Sequence, residues 1–448
     1  MDGSVPSKLL TTLSHAAEIV RGHDFIHVFS HYDADGISAA AVVAKALFRA
    51  GKEFKVTLFT SLNDHNMDII RNSNAECVVV TDLGASYIKQ FDELTVDVVI
   101  LDHHTIYEQA ERICYANPHL YGIDGMTSGC GATMAFLFAI TLDEKNWDLV
   151  QVAFAGIAGD RQHINGLLGL NAYLFEEGKK KGFIVVSDGS LIPPRKLSEE
   201  LFLTTDPYIR GVSGNKEGVT KLLDDAKVPH DRNAEDLSEE EKQRLSSLIA
   251  LKLTGQKVSV QTMFEVSRTR YYLPSWKLDA ETFSSILNGC GRMGLGGIGV
   301  AAGMGDKNSL KQAETIDDEY RKQVVEGVLA LEAVGLTQLE HIQWFDSSAS
   351  GFTGILCGIA MQFMGDPAKP TIGINRYDSI AKISSRGMWG QLEKGIDLSI
   401  ALKSACESVG GTGGGHKIAS GGSCPTERSE EFLSNLDKII AEQLSGAK

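Results

Sequence analysis

The sequence predicts an α/β protein: a doubly wound parallel sheet near the N-terminus and a smaller α/β domain near the C-terminus, joined by a helical middle segment. Three observations predict it. Short β-branched runs alternate with helical patterns as far as Asp160. A proline pair at Pro193-Pro194 then breaks the pattern, and a charged, helix-rich stretch follows. From His341 a second α/β pattern begins and ends in a glycine cluster. These breaks set expected domains of 1–185, 186–335 and 336–448.

The elements follow in order. Residues 5–20 read as an amphipathic helix, with Pro6 in the first turn and Leu9, Leu13, Ala16, Ala17 and Val20 at helical spacing. Phe25–Ser30 reads as a strand, Gly36–Ala50 as a helix and Lys55–Thr60 as a strand. Cys77–Thr81 and Val96–Leu101 are the β-branched runs of strands buried on both faces. Helical stretches at Ala132–Thr141 and Leu149–Ala158 complete this part. In the middle, Ser238 stands three residues before Glu241, a capping box that opens a helix running to about Leu253. Ser309–Leu331 reads as a long charged helix, the connector. Beyond it come HIQWF, a helix near Ile355–Met364, PTIGINRY, AKISSRG and the glycine cluster.

Composition narrows the function classes. The chain has 448 residues with 58 Asp+Glu against 43 Lys+Arg, a formal charge of −15. That excess argues against coating nucleic acid through bulk positive charge, yet leaves room for a nuclease with a local basic track. Segment 221–242 carries eight acids against four bases, whereas 369–417 carries seven bases against four acids. The seven cysteines are scattered without a C-x-x-C pair, so they read as reduced thiols in a cytoplasmic protein. The N-terminus shows no secretory signal, and no apolar run approaches the ~20 residues that span a membrane.

Chemistry-bearing residues gather at the ends of the apolar runs. The first ends in His31-Tyr32-Asp33-Ala34-Asp35-Gly36, the third at Asp82 and the fourth at Asp102-His103-His104, while Asp160 closes a helical stretch. Open α/β sheets place their functional crevice at the carboxyl ends of the strands, so three strands deliver carboxylates and imidazoles to one edge. Four or more oxygen ligands with two or three imidazoles and no cysteine suit a pair of Mn²⁺ or Mg²⁺ ions better than zinc. Such a pair clamps a phosphoryl group and activates water for in-line attack. Without cations, this many carboxylates would repel one another.

A second cluster is Gly410-Gly411-Thr412-Gly413-Gly414-Gly415-His416-Lys417. Its glycines leave backbone N–H groups free to approach a phosphate, with His416 and Lys417 adding donors. Upstream, Arg386 offers a second phosphate contact. Asn288-Gly289-Cys290-Gly291-Arg292 carries a structural and a functional reading alike. Gly294–Gly299 fits G-x-G-x-x-G but follows no strand, which disfavours a dinucleotide site. Lys179–Lys181 reads as a solvated helix end.

These residues carry a family resemblance. H-x-D-x-D-G at His31–Gly36, Asp82, D-H-H at Asp102–His104 and Asp160 resemble the metal-site motifs of the DHH phosphoesterases. G-G-G-H at Gly413–His416 resembles the phosphate-binding motif of the DHH-associated C-terminal domain, and Asn288–Arg292 the N-x-x-G-R motif of RecJ-type exonucleases. Thr204–Gly214 is similar to the archaeal RecJ-like branch, some members of which associate with the GINS replication complex. The resemblance implies two divalent ions, Mn²⁺ before Mg²⁺, held by His31, Asp33, Asp35, Asp82, His103 and Asp160, with Asp82 bridging. It implies that His104 touches the scissile phosphate and that Asp102 orients the histidines. It also implies two lobes facing each other across a groove, with Asn288, Arg292, Arg386, Gly413, Gly414, Gly415, His416 and Lys417 meeting substrate. Bacterial RecJ carries an oligonucleotide-binding barrel after this domain, whereas the residues beyond Gly422 here read as one amphipathic helix.

The expected function is therefore a metal-dependent exonuclease on single-stranded DNA or RNA. The alternatives are a phosphodiesterase of nanoRNA or cyclic dinucleotides, and a replication-complex (GINS) scaffold that has lost catalysis. An active enzyme that also docks on a replication complex is a further expectation, and the acidic, helix-capped stretch 221–255 is its expected docking surface.

Overall fold

The computed structural model describes residues 4–349 and 351–446. The chain divides into two compact units, 1–189 with 268–320, and 190–267 with 321–448. The expected middle domain is thus shared: 190–267 joins the second unit and 268–320 the first.

In the first unit five strands form an all-parallel sheet: β1 (Phe25–His31), β2 (Glu53–Phe59), β3 (Cys77–Thr81), β4 (Asp97–Leu101) and β5 (Cys114–Ala116). Their order is β2-β1-β3-β4-β5. Alternation sends Val79, Val99 and Leu101 to one face, against the helices Ser7–Arg21, Ala34–Arg49, Gly131–Leu142 and Val150–Gly159. It sends Val78, Val80 and Ile100 to the other, against Asp64–Arg71 and Ile88–Asp92. Both faces of the central strands are covered, which is why β3 and β4 lack a polar stripe, whereas edge strand β2 keeps one in Glu53, Lys55 and Thr57. The doubly wound expectation holds.

A small antiparallel sheet, β6 (Val185–Ser187), β7 (Arg270–Leu273) and β8 (Leu278–Asp279), also belongs to this unit. Helix Ala280–Arg292 follows directly, capped by Asp279, whose carboxylate accepts from the N–H groups of Glu281 and Thr282. Gly294 turns the chain at φ +73° into helix Gly296–Gly303, where a Cβ on Gly296 would stand 2.4 Å from Leu58 Cδ1 and one on Gly299 3.1 Å from Cys290 Cβ. The G-x-G-x-x-G pattern therefore serves close helix packing after a helix, and no dinucleotide fold is built on it.

The second unit holds helices Leu197–Leu203, Lys216–Ala226, Glu239–Gly255 and Val260–Val266 and a mixed six-stranded sheet. Ser238 and Glu241 form the expected capping box. The strands are β9 (Thr337–Gln338), β10 (Gln343–Asp346), β11 (Thr371–Tyr377), β12 (Ile380–Arg386), β13 (Thr412–His416) and β14 (Ala419–Pro425). Their order is β13-β14-β12-β11-β10-β9, with only β10 and β11 parallel. Helices Leu398–Ser408 and Ser429–Gly446 cover the face bearing Ile374 and Ile383. The chain passes between the units three times, at 189–190, at 267–268 and within helix Lys307–Val334. Among the described residues no helix is long and apolar enough to cross a membrane, and the seven cysteines are buried and unbonded.

Candidate functional site

β1 and β3 are neighbours at the point where the strand order reverses, which is where open α/β sheets bind ligands. β1 ends at His31, followed by Asp33 and Asp35; Asp82 follows β3; Asp102, His103 and His104 follow β4. Asp160 caps the C-terminal end of Val150–Gly159. All eight side chains come from the first unit.

Three overlapping groups have ligand atoms within 4.8 Å of one another: His31, Asp33 and Asp82; Asp82, His103 and His104; Asp35, His103 and Asp160. Asp82 and His103 each belong to two groups. His31 Nδ1 lies 3.0 Å from Asp33 and 3.6 Å from Asp82. His103 Nε2 lies 3.2 Å from Asp82, 3.4 Å from Asp160 and 3.9 Å from Asp35. Asp82 holds a left-handed backbone, φ +53°, a conformation aspartate tolerates better than most residues.

The ligand-type groups are oriented from behind. Asp33 caps helix Ala34–Arg49 by accepting from Gly36 N–H at 3.1 Å. Asp35 is buried and accepts from the N–H groups of Gly131 (2.7 Å) and Ala132 (2.9 Å), the positive end of helix Gly131–Leu142. His103 donates from Nδ1 to the Gly125 carbonyl at 2.8 Å, which aims Nε2 at the carboxylates. Asp102, fully buried, accepts from His104 Nδ1 at 2.7 Å, from the backbone N–H of His103 and of His104, and from Ala85 N–H. It faces the histidines' support, not the cluster, and leaves the more exposed His104 with Nε2 available.

Electrostatics report the crowding. Burial pulls the His31 imidazolium down, but Asp33 and Asp82 outweigh it and push it up to about 11. Burial also opposes charge on His103, yet Asp160 and Asp82 hold it well above the usual range. Burial, with Asp160 and Asp82 adding, drives Asp35 well above the carboxylate range. Asp160 rises to about 6, chiefly through burial. Burial pushes Asp82 up as well, but His103 and His31 override it and hold the carboxyl far below normal. Four carboxylates in this space need positive charge. Hard oxygens with two or three imidazoles, and no thiolate in any of the three groups, make a donor set that fits Mn²⁺ or Mg²⁺.

Arg292 reaches the same rim. It ends helix Ala280–Arg292, hydrogen-bonds the Tyr32 hydroxyl and lies over the Tyr32 ring at 4.8 Å. Asn288 lies on that helix, one turn before its end. Arg386, Gly413, Gly414, Gly415, His416 and Lys417 lie in the second unit. The glycine cluster is a strand and hairpin: β13 pairs with β14 from Thr412↔Ser423 to His416↔Ala419. As an edge strand it still leaves every second backbone N–H outside the ladder. Arg386 and His416 share a row, both in register with Ala419.

Three supporting residues leave no mark in the sequence pattern. A Cβ on Gly131 would stand 2.6 Å from Asp82 Cβ, and one on Gly156 2.5 Å from Asp35 Oδ1, so both positions must stay bare. Gln162 donates to the Gly125 carbonyl at 2.9 Å and thereby steadies the acceptor of His103. Only tertiary approach reveals them, since no spacing links them to the motifs.

Known proteins share these features. Residues 25–157 match the DHH family, N-terminal domain, and residues 347–442 match the DHHA1 domain. An uncharacterized protein of Methanocaldococcus jannaschii is 29% identical over 436 residues, 95% of this chain and 96% of that one. RecJ from Thermus thermophilus in complex with Mn²⁺ superposes with a TM-score of 0.62 at 17% identity, over 98% of this chain; the chain spans only 55% of that RecJ. An exonuclease RecJ bound to manganese gives 0.56 at 15% identity, over 98% of this chain and 96% of the other. CDC45 from Entamoeba histolytica gives 0.65 at 11% identity, over 96% and 99%. At these identities the solved structures share the fold.

Proposed function

The chain carries the N-terminal domain of the DHH family followed by a DHHA1 domain, and on that footing we propose that it is a metal-dependent phosphodiesterase acting as an exonuclease on single-stranded DNA or RNA. The observation that carries this is the meeting of His31, Asp33, Asp35, Asp82, His103 and Asp160 in three interlocked groups at the strand-order reversal. Fold likeness alone would fit RecJ and CDC45 equally; a complete donor set favours catalysis.

These six residues would hold two divalent cations, with Mn²⁺ preferred; RecJ from Thermus thermophilus has been solved in complex with Mn²⁺ and with Mg²⁺. Bound cations would supply positive charge to the phosphoryl oxygens and acidify a water for in-line attack at phosphorus. The remaining work falls to the chain. His104, its Nδ1 fixed by Asp102, offers Nε2 to a phosphoryl oxygen. Arg292, held on Tyr32, offers a guanidinium to a neighbouring phosphate. In the second unit Arg386, His416, Lys417 and the outward-facing N–H groups of the Gly413–Gly415 edge, which includes Gly414, would grip the strand. The exposed acids Glu239 and Glu240, near the start of helix Glu239–Gly255, fit a docking role toward a replication complex such as GINS. Neutralising them should abolish GINS pull-down without touching hydrolysis; intact pull-down would remove that role.

The test of the main reading is hydrolysis, with Mn²⁺ supplied, of dinucleotides and of longer DNA and RNA strands. Mononucleotide release from the longer strands supports it. Hydrolysis of dinucleotides alone would replace it with a short-substrate phosphodiesterase.

A further inference from the structure

The six-stranded sheet has two unlike faces. Helices Leu398–Ser408 and Ser429–Gly446 cover one, where Ile374 and Ile383 are cross-strand partners in the core. On the other, helix Thr353–Phe363 reaches the part near Arg386, where a Cβ on Gly354 would stand 3.4 Å from the guanidinium. Thr371 and Gly373 on that face are buried too, with Thr353 and Phe345 against Gly373, and only beyond the part-buried Asn375 does the face open. Tyr377 pairs with Ile380 in register, and they are 78% and 56% exposed. Lys382 is next on the same side of β12, exposed and, among the described residues, without an ion pair. Ser423 and Thr412 stand beside it in register, and one step further along, level with Ser384, Gly421 and Gly414 are opposite each other, where a Cβ on Gly414 would meet nothing within 4 Å.

Charge is sorted between the faces. Arg376, on the helix-covered side, is neutralised by Asp346 and Glu430 at 2.6 Å each. The alternate positions of β11, β12, β13 and β14 that form the open face include Lys382, Arg386 and His416 and no carboxylate. In a chain of net charge −15, a row of strand positions without a carboxylate, ending in an exposed aromatic just before the turn at Asp378, is complementary to a polyanion that also stacks. From Ile380 to Arg386 the strip runs about 20 Å, room for several nucleotides.

Resting on the exonuclease reading above, we propose that this open face is a track for single-stranded nucleic acid, on which Tyr377 stacks a base and Lys382 meets the backbone phosphates. A flat, glycine-paved sheet face accepts bases without regard to sequence, because every base has a π-face. The track would make affinity depend on strand length, a property that the phosphoester site alone does not confer.

The test is fluorescence anisotropy of the full chain, with divalent metals chelated, on labelled strands of about 4 and about 16 nucleotides. Tyr377→Ala is expected to weaken the longer strand about tenfold and to leave the shorter unchanged, while Tyr377→Phe binds as the wild type. Lys382→Ala is expected to lower the salt slope for the longer strand by about one. Equal affinity of Tyr377→Ala and wild type for the longer strand overturns the track, as does an equal loss on both strands. Wild-type protein that binds neither strand, and that shortens neither when Mn²⁺ is restored, overturns the exonuclease reading itself, a result distinct from failure of this face.

Discussion

The carboxylate of Asp35 accepts a 2.7 Å hydrogen bond from the backbone N–H of Gly131, and this contact joins the strand-end cluster to the positive end of a buried helix. Asp35 gains two N–H donors there, and the approach is so close that neither Gly131 nor Gly156 can carry a Cβ without displacing it.

Gly131→Ala is therefore expected to move Asp35 and Asp82 apart. A misplacement of this kind costs about 100-fold in rate, and overpacking costs about 1–3 kcal/mol of stability. Hydrolysis rates and thermal unfolding check both. A variant as active as the wild type would show that the Asp35–Gly131 contact does not set the site.

Mn²⁺ should raise the melting temperature of the wild type, because a ligand at 100 times its Kd adds about 2.7 kcal/mol to the folded state. Asp82→Asn, which removes the carboxylate shared by two of the donor groups, should lose most of this response while remaining folded. Calorimetric unfolding with and without Mn²⁺ measures it. An undiminished response in the variant would place the metal elsewhere.

Asp102→Asn keeps one acceptor but no negative charge opposite His104 Nδ1. Loss of such an outer partner costs about 10–100-fold in activity or metal affinity. Steady-state rates across a Mn²⁺ titration separate the two effects. Unchanged rates would deny Asp102 its orienting role.

Glu281 supplies a pH dependence away from the cluster. It takes a bidentate contact from Arg268 at 2.6 and 2.7 Å and meets His163 at 2.8 Å. Burial pushes its carboxyl up, but His163 and Arg268 hold it far below the usual range. Folding thus favours the charged form, so the stabilisation is complete above the unfolded value of about 4.3 and fades as pH falls below it. Glu281→Gln should cost roughly 3 kcal/mol at neutral pH, with the gap to wild type narrowing in acid. Denaturant unfolding across pH checks it; a gap that widens in acid would reverse the sign.

Much of this site is legible in the sequence because chemistry and fold coincide at strand ends. Val78–Val80 and Val98–Leu101 announce strands buried on both faces, and whatever polar residue ends them must sit on the functional edge. His31, Asp82 and Asp102 stand out for that reason. Gly131, Gly156 and Gln162 do not, because their roles arise where distant segments touch. The glycine run at Gly413–Gly415 misleads in the opposite way: low β-propensity argues for a loop, but pairing with β14 overrides it. Short strands such as β5 and β6, three residues each, carry too few side chains to show a period.

Hydrolysis of nucleic acid from an end by this cluster is measured most directly by supplying Mn²⁺ to wild type and Asp82→Asn and following the lengths of single strands labelled at either end. The expected result is stepwise shortening from one end by the wild type and none by the variant. Intact strands with the wild type, or equal shortening by both proteins, would contradict it.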